Sequence, residues 1–449
     1  MAKRDEWAKI GEDAAATLSR YLQFDTTNPP GNEMAAAQWL EAQLVERGIT
    51  NRVTRYEPAP GRAVLLGRIE GSEPLKPLVL NHHVDVVPAD PTRWSHPPFG
   101  GKVAEGYVWG RGALDTKCLG IIHLLALEKL IREGVTFRRP IVFLAVSDEE
   151  TGGSQGMGWL VENHLDEIDS EWVWDEGGAG LKGLLGDQPM FGVAVAEKQI
   201  QSVRLVATGE AGHGSMPHDD NANVTLMRAL DRVLEPRPMR VNEVTAAMFR
   251  EFAKLQRFPM SFLLRHMDNP LVLTLAGRRL AADTLMNAML RDTLSLTMLE
   301  AGYKINVIPE RAEASIDCRL LPDTDADQFR RWLEATVADD RVNVEIGETS
   351  EPTTISPIEG PFFDAARRAI TRHVPDAAVF PLQMPGASDS RFFRARDIPA
   401  YGFGPFVLER GEISRIHGID ERISVENLVL GVKIACDLVQ HLCAAKNVI

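Results

Sequence analysis

The sequence lacks the features that identify secreted and membrane-spanning proteins. It has four cysteines in 449 residues, Cys118, Cys318, Cys436 and Cys443, and none forms a CxxC pair, so no disulfide framework is expected. No apolar run is long enough to span a bilayer. The first residues include two basic side chains but no apolar core, so no secretory signal is expected. We therefore expect a cytoplasmic protein with reduced thiols and no membrane partner.

The sequence also has fewer basic residues than acidic residues. Lys and Arg number 49 against 63 Asp and Glu, which gives a formal net charge of -14. A nucleic-acid partner would require a basic surface, so none is expected. The glycine fingerprints of dinucleotide and phosphate loops, GxGxxG and GxxxxGK[ST], do not occur, even in the glycine-rich stretch Gly110–Gly120. A nucleotide-dependent oxidoreductase is therefore a poor fit.

The chain does contain an alternation of strand and helix patterns. The chain is too long to form a single hydrophobic core of ordinary size, and 44% of its residues are hydrophobic. Two domains are therefore expected. Strand-like runs at Leu78–Val87 and Ile141–Val146 alternate with a helical run at Cys118–Ile131. This rhythm is typical of βαβ units and a mostly parallel sheet covered by helices on both faces.

The pattern changes near Lys198. A strand exposed on one face is followed by a long tract with helical spacing, Val224 to Leu299, and then by two further strand-like runs. After a linker rich in Pro, Ser and Thr the α/β pattern returns. We predict a three-layer α/β/α catalytic domain formed by residues 1–197 and 353–449, interrupted by an α+β lid domain at 198–352.

Acidic side chains follow two of the predicted strands. Ile141–Val146 leads directly to Glu149 and Glu150, and a second short strand ends at Asp175 and Glu176. The carboxyl ends of parallel strands meet at one edge of a sheet, so these carboxylates should lie close together. Carboxylates repel one another and resist desolvation unless cations neutralise them. One of the adjacent glutamates could then bind a metal while its neighbour acts as a base.

Histidines and a further aspartate lie near these acids in the predicted sheet. His83 and Asp85 share a strand face and His82 points away, so Asp85 could hold the second ring nitrogen of a ligand histidine. A simple hydrogen-bonded pair at a strand end is the alternative. Asp115 precedes a helix and could be either an N-cap or a carboxylate ligand. His417, in a loop before the last helix, could supply a second imidazole.

Two other classes of protein remain open on the residues alone. The stretch Gly152–Gly156 fits the G-x-S-x-G pattern of a serine hydrolase, with Ser154 as nucleophile and His417 as base. However, the carboxylates stand between the strand and Ser154, where a nucleophile elbow would place the serine. A non-catalytic peptide-binding protein with the same fold is the second alternative.

Taken in order, several motifs resemble one family, the dinuclear zinc exopeptidases and amidohydrolases, which includes aminoacylase, carboxypeptidase G, carboxypeptidase S, carnosinase, acetylornithine deacetylase and succinyl-diaminopimelate desuccinylase. These motifs span Leu78 to Ile423 and read HHVDVVP, GRGALDTKCLG, SDEETGG, DEGG, GHGSMP, NVIPERAEASIDCRLLPD and HGIDERIS. The resemblance implies a metal-dependent hydrolase that cleaves the amide bond of N-acyl amino acids or dipeptides with a free C-terminal carboxylate.

The resemblance also implies the metal ligands. His83 and Glu176 would bind one zinc ion, and Glu150 and His417 would bind the other. Asp115 would bridge the two ions. The same nitrogen and oxygen ligands also suit Co²⁺ or Mn²⁺.

Roles in catalysis follow from the same resemblance. Glu149 would be the general base for the water shared by the two ions, and Asp85 would orient His83. A cis peptide bond is implied between Asp115 and Thr116. The lid domain would form a homodimer, in which His213 reaches the partner's site to stabilise the oxyanion. On its own pattern, His213 between two glycines would be an exposed surface histidine.

Substrate contacts are implied in the lid and near the end of the chain. Asn306 and Arg319 would bind the substrate carbonyl and carboxylate, although Arg319 in a strand could equally form a surface salt bridge. Gly386 and Ser388 would line the pocket. Ser388 stands where threonine is common in the family, and Cys118 where a glycine or another small residue is expected. Both differences would alter the pocket and not the reaction.

Overall fold

The structure is a computed structural model that describes residues 2–183, 188–351 and 354–445. Its strands are β1 (Val53–Tyr56), β2 (Val64–Ile69), β3 (Leu78–His83), β4 (Lys102–Ala104), β5 (Tyr107–Trp109), β6 (Ile141–Val146), β7 (Trp172–Leu181), β8 (Met190–Glu197), β9 (Gln199–Thr208), β10 (Gly212–His213), β11 (Thr293–Ala301), β12 (Val307–Ile308), β13 (Arg311–Leu320), β14 (Val342–Thr349), β15 (Ala378–Met384), β16 (Ala400–Leu408) and β17 (Arg422–Ser424).

The helices are α1 (Ala2–Leu22), α2 (Met34–Glu46), α3 (Lys117–Arg132), α4 (Met157–Asn163), α5 (Leu165–Ile168), α6 (Ala222–Val233), α7 (Glu243–Lys254), α8 (Met260–Arg265), α9 (Pro270–Ala282), α10 (Thr284–Met289), α11 (Ala326–Val337), α12 (Pro361–His373), α13 (Ser390–Arg394) and α14 (Val425–Cys443). In the described part of the chain, no helix is both long enough and apolar enough to cross a membrane.

The chain divides into two compact units. Unit 1 comprises Met1–Val195, Ile355–Leu382 and Ser388–Ile449, and unit 2 comprises Ala196–Thr354 and Gln383–Ala387. The short second segment of unit 2 is fixed by Gln383, whose Nε2 donates to the main-chain oxygen of Met289 at 2.9 Å. The assignment of the predicted boundaries to a catalytic and a lid domain stays a prediction.

Unit 1 contains an eight-stranded sheet in the order β1-β2-β6-β3-β7-β16-β8-β15. The four central strands, β6, β3, β7 and β16, are parallel to their neighbours in this set. β2 is antiparallel to β6 and β8 is antiparallel to β16. β1 is antiparallel to β2 and so runs in the direction of the central strands. The fold-class prediction of an α/β protein with a mostly parallel sheet is confirmed.

Helices cover both faces of this sheet, as the apolar sequence of β6 predicts. Val142, Leu144 and Val146 face one side, where they share a core cluster with Met157 and Leu160 of α4. The alternate residues of β6 face the other side of the sheet.

On this second face the ring of Phe143 contacts the ring of His82. His82 in turn lies against α3, so closely that a Cβ placed on Gly120 would come within 2.3 Å of the His82 ring. A glycine is therefore required at position 120, because the helix could not otherwise approach β3.

Unit 2 contains a four-stranded antiparallel sheet in the order β11-β13-β9-β14 and a two-stranded ribbon, β10-β12. Helices α6 and α11 pack on the sheet through a core that includes Leu226, Phe329, Leu205 and Ile316. This arrangement is the predicted α+β insertion.

The prediction of a helical tract from Val224 to Leu299 is wrong at its end. Helices stop at Met289, and Thr293–Ala301 is strand β11, paired with β13 at the edge of the sheet. Apolar Leu294 and Leu296 alternate there with Thr and Ser, which is a strand pattern.

Candidate metal centre

Several polar side chains of the site lie at the carboxyl ends of three neighbouring strands of unit 1. β3 ends at His83, β6 is followed by the acidic turn at 149–150, and β7 carries Glu176 just beyond its pairing with β3. Because these strands are parallel, their carboxyl ends meet at one edge of the sheet. The remaining two side chains come from loops, the one that precedes α3 and the one that precedes β17.

The first ligand group consists of His83, Asp115 and Glu176. His83 Nε2 lies 3.0 Å from Asp115 Oδ1 and 3.6 Å from Glu176 Oε2. The other ring nitrogen, Nδ1, donates to the main-chain oxygen of Asp85 at 2.8 Å. The ring is therefore held with Nε2 directed at the carboxylates.

The second ligand group consists of Asp115, Glu150 and His417. His417 Nε2 lies 3.0 Å from Asp115 Oδ2 and 3.2 Å from Glu150 Oε2. Asp115 thus presents one carboxylate oxygen to each histidine. Its side chain does not cap α3, whose N-cap residue is Thr116. The Asp115–Thr116 peptide bond is cis, which confirms the prediction from the family resemblance.

These two groups fit divalent cations by the chemistry of their donors. In each group the ligand atoms lie within 4.8 Å of one another, and imidazole nitrogen and carboxylate oxygen are the donors that zinc accepts. Glu150 Oε1 is buried and has no hydrogen-bond partner among the described residues, which leaves a lone pair free for an ion.

The site also carries more negative charge than its two imidazoles can neutralise. Burial would lower the pKa of His83, but the carboxylates of Glu176 and Asp115 outweigh it and raise that pKa well above its usual value. Hydrogen bonds to Asp115 and Glu150 raise the pKa of His417. Burial and the charge of Asp115 raise the pKa of Glu176. A bound cation would relieve this repulsion.

Glu149 lies beside the ligand groups without belonging to either. Burial, and next the charge of Glu176, raises the pKa of its carboxyl well above the usual value. Among the residues that the structure describes, no side chain hydrogen bonds to the Glu149 carboxylate. Its main-chain N–H donates to Asp85 Oδ1 at 3.2 Å, and that of Glu150 donates to Asp85 Oδ2 at 3.1 Å.

Asp85 therefore does more than orient His83. Its carboxylate Oδ1 is 3.6 Å from His83 Nδ1, whereas its main-chain oxygen is 2.8 Å from that atom. The carboxylate also fixes the turn that bears both glutamates, because it accepts their main-chain N–H groups. Asn28 Nδ2 donates to Asp85 Oδ2 at 2.8 Å, and Arg62 Nη2 donates to Asn28 Oδ1 at 2.8 Å. The sequence analysis did not single out Asn28 or Arg62.

Ser154, the nucleophile of the serine-hydrolase alternative, follows this turn. Its Oγ approaches Asp148 Oδ2 at 3.4 Å, and the described residues place no histidine in hydrogen-bond contact with it. The described residues therefore give Ser154 no histidine to act as its base.

The other predicted site residues divide between the units. Ser388 is buried in unit 1, where its Oγ accepts from the main-chain N–H of Ser390 at 3.3 Å. Gly386 belongs to unit 2, and a Cβ there would meet nothing within 4 Å. Cys118, which stands where the family resemblance implies a glycine or another small residue, is buried on α3.

Three further predicted residues lie in unit 2. His213 is exposed on β10, and its Nδ1 accepts from Ser215 Oγ at 2.7 Å. Asn306 precedes β12, the partner strand of β10, and its main-chain oxygen accepts from Gly214 N at 2.9 Å. Arg319 stands near the far end of β13, where its Nε donates to Asp317 Oδ1 at 2.8 Å.

Comparison with known proteins gives a consistent result. Residues 79–441 match the peptidase family M20/M25/M40. The chain is 32% identical over 392 residues to the N-fatty-acyl-amino acid synthase/hydrolase PM20D1 of Mus musculus, covering 83% of this chain and 76% of that protein. It is 30% identical over 443 residues to aminoacylase-1 of Homo sapiens, covering 96% of each.

The fold agrees with a solved structure. An M20 family metallo-carboxypeptidase, Sso-CP2 of Sulfolobus solfataricus, superposes with a TM-score of 0.70 at 17% identity, over 95% of this chain and 98% of that one. The serine-hydrolase and non-catalytic alternatives find no support in these comparisons. The chain therefore belongs to the peptidase family M20/M25/M40 and is a metal-dependent hydrolase of amide bonds.

Proposed function

We propose that this enzyme hydrolyses N-acyl amino acids or dipeptides with a free C-terminal carboxylate, and that it uses two zinc ions. The observation that carries the proposal is the position of Asp115, whose two carboxylate oxygens each lie 3.0 Å from a different histidine. Similarity over 96% of the chain to an aminoacylase supports an acyl amino acid as the substrate.

Under this proposal the two ligand groups hold the two ions. His83 and Glu176 bind one, Glu150 and His417 bind the other, and Asp115 bridges them. Zinc ions bound there would supply Lewis-acid activation of water and of the scissile carbonyl. Cobalt or manganese could replace zinc, because the donors are nitrogen and oxygen only.

Glu149 would move the proton. Its carboxylate is partly buried beside Glu176 and Glu150 and has no hydrogen-bond partner of its own in the described residues, so it is free to accept a proton from the attacking water. The same group would then pass the proton to the leaving amine. Asp85 would position this base through the main-chain N–H of Glu149.

Substrate selection would fall to Asn306, Arg319, Gly386 and Ser388. Arg319 already pairs with a carboxylate, that of Asp317, and a guanidinium suits the planar carboxylate at the end of a substrate. Asn306 would contact the scissile carbonyl.

We also propose a homodimer formed through unit 2. β11 is an edge strand that exposes Leu296, Met298 and Leu299, and exposed apolar edge strands favour pairing with another chain. A groove of about 470 Å³ runs beside it, lined in part by Met227, Leu296 and Leu299. In the dimer, His213 would stabilise the oxyanion in the site of the partner subunit.

A cytoplasmic location is proposed with the function. Cys118, Cys318, Cys436 and Cys443 are all unpaired and buried, as is typical of proteins kept under reducing conditions.

The function is tested by metal content and substrate preference together. Elemental mass spectrometry after dialysis against trace zinc should find close to two zinc ions per chain. N-acetyl-leucine, N-dodecanoyl-leucine and alanyl-leucine should be assayed beside their C-terminal amides. We expect the acids to exceed the amides in kcat/KM by about 10- to 100-fold, the value of one charge-assisted hydrogen bond.

Three outcomes contradict parts of this proposal. A folded protein without metal would overturn the mechanism. Two metals without turnover of any substrate would favour a non-catalytic binding protein. Equal rates for acids and amides would remove carboxylate recognition by Arg319.

The dimer is tested at β11. Leu296→Glu with Leu299→Glu should convert a dimer of twice 49.6 kDa into a monomer, because charged side chains would have to be buried at the interface. Light scattering coupled to size-exclusion chromatography gives the mass. Zinc content should persist while activity falls, since His213 then reaches no partner. Val103→Glu, at an exposed apolar position of unit 1, is the matched control and should remain a dimer.

A further inference from the structure

A buried carboxylate outside both ligand groups joins the two loops that carry Asp115 and His417. Glu421 is fully buried, at 0% exposure. Its Oε1 accepts the main-chain N–H groups of Leu114, at 2.7 Å, and Asp115, at 3.0 Å. Its Oε2 accepts the N–H of Gly112 at 3.1 Å. Three main-chain donors of the loop before α3 therefore converge on one side chain.

Arg111 completes this connection. Its Nη1 donates to Glu421 Oε2 at 2.7 Å. Its Nη2 donates to the main-chain oxygens of Gly418, at 2.9 Å, and His417, at 3.3 Å. The guanidinium also lies over the ring of Trp94, 5.1 Å from its centroid. The Arg111–Glu421 ion pair thus fixes the main chain of the loop that carries Asp115 and of the loop that carries His417.

His417 depends on such support more than His83 and Glu176 do. His83 lies at the end of β3, and Glu176 lies in β7 with its main-chain N–H bound to Asp175 Oδ1 at 2.8 Å. His417 instead lies in a loop with φ of 58°, a left-handed conformation that non-glycine residues rarely adopt. Its side chain is 51% exposed, so packing alone does not hold it.

We infer that Glu421 and Arg111 are positioning residues that set the metal affinity of the second ligand group, Asp115, Glu150 and His417, more than that of the first. This inference rests on the proposed function, since it requires that the second group bind a metal. Residues that orient metal ligands commonly change metal affinity by about 10- to 100-fold when replaced. Here the effect should fall mainly on the second group, because the contacts reach His417, which is a ligand of that group alone, and Asp115, which both groups share, but neither His83 nor Glu176.

The test measures zinc binding directly, apart from activity. Wild type, Glu421→Gln and Arg111→Lys are stripped of metal and dialysed against zinc buffers of stepped free concentration, and zinc per chain is read by elemental mass spectrometry. For Glu421→Gln we expect the second zinc to bind about 10- to 100-fold more weakly, and the first within about threefold of wild type. A glutamine keeps the size of the side chain, but its amide nitrogen cannot accept two of the four hydrogen bonds.

Arg111→Lys is a second variant that tests the same inference if Glu421→Gln does not fold. Lysine keeps the charge opposite Glu421 but cannot also reach the carbonyls of residues 417 and 418, so the second zinc should again weaken selectively. Thermal melts of the metal-free proteins establish that each variant is folded.

Asp292→Asn in unit 2 is the matched control for the removal of a buried carboxylate. Asp292 accepts from Leu321 N at 2.8 Å and from Thr324 Oγ1 at 2.7 Å, and it belongs to neither ligand group. Two zinc affinities equal to those of wild type are expected for this control.

The inference is overturned if a folded Glu421→Gln or Arg111→Lys protein binds the second zinc as wild type does, or loses both zincs in parallel. A wild-type protein that never takes up two zinc ions would instead overturn the proposed function, and the inference with it.

Discussion

Replacing Glu149 by glutamine is expected to lower kcat by about 10²- to 10⁴-fold, the range for loss of a general base. Both metals should stay bound, because Glu149 belongs to neither ligand group. The amide has nearly the same size and keeps the main-chain contact with Asp85, but it cannot take the proton from water. The measurement is kcat on the best acyl amino acid, with zinc content determined on the same preparation.

The matched control for this variant is Glu162→Gln, at an exposed glutamate of α4, which should leave kcat unchanged. Turnover of the Glu149 variant within a few fold of wild type would contradict its assignment as the base. Loss of metal together with activity would mean that Glu149 is a ligand.

Replacing Asp115 by alanine is expected to remove activity by more than about 10³-fold, corresponding to about 4 kcal/mol of lost stabilisation of the transition state. Each ligand group includes one oxygen of this carboxylate, so both metals should bind more weakly. By contrast, His417→Ala should leave the first group intact, with about one zinc per chain. Zinc titration of the two variants, alongside activity, distinguishes these outcomes.

Asp166→Ala, at an exposed acid of α5, serves as the control and should retain both metals and full activity. If Asp115→Ala bound two zinc ions with wild-type affinity, Asp115 could not be the bridging ligand. A loss of one metal only would assign Asp115 to a single group.

Local sequence pattern was sufficient for the parts of the fold that depend on neighbouring residues. β6 has the predicted bounds, Ile141–Val146, because its residues are all apolar and all buried. α14 begins after Ser424, whose Oγ accepts from Asn427 N at 3.1 Å as an N-cap should. β11 was missed, because the alternation of Leu294 and Leu296 with Thr and Ser covers only the start of the strand, and the rest is defined by pairing with β13.

The candidate ligands could be named from short motifs, whereas the residues that hold them could not. Asn28 is 57 positions from Asp85, and Arg111 is 310 positions from Glu421. A buried side chain whose hydrogen-bond partners lie so far away along the chain produces no recognisable spacing in a single sequence. The only available sign was position: Glu421 lies four residues after His417, among charged neighbours in a segment already linked to the site.

The order of residues along the chain separates the two ligand groups in time during synthesis. His83, Asp115 and Glu176 have all been incorporated once residue 176 is added, so the residues of the first group are present early. The second group has Asp115 and Glu150 by then but must wait for His417, and Glu421 arrives with it. A nascent chain therefore holds Asp115 and Glu150 without His417 while residues 151–416 are added. If the second group binds a metal, as the proposed function requires, all three of its ligands are available only after His417 has been added.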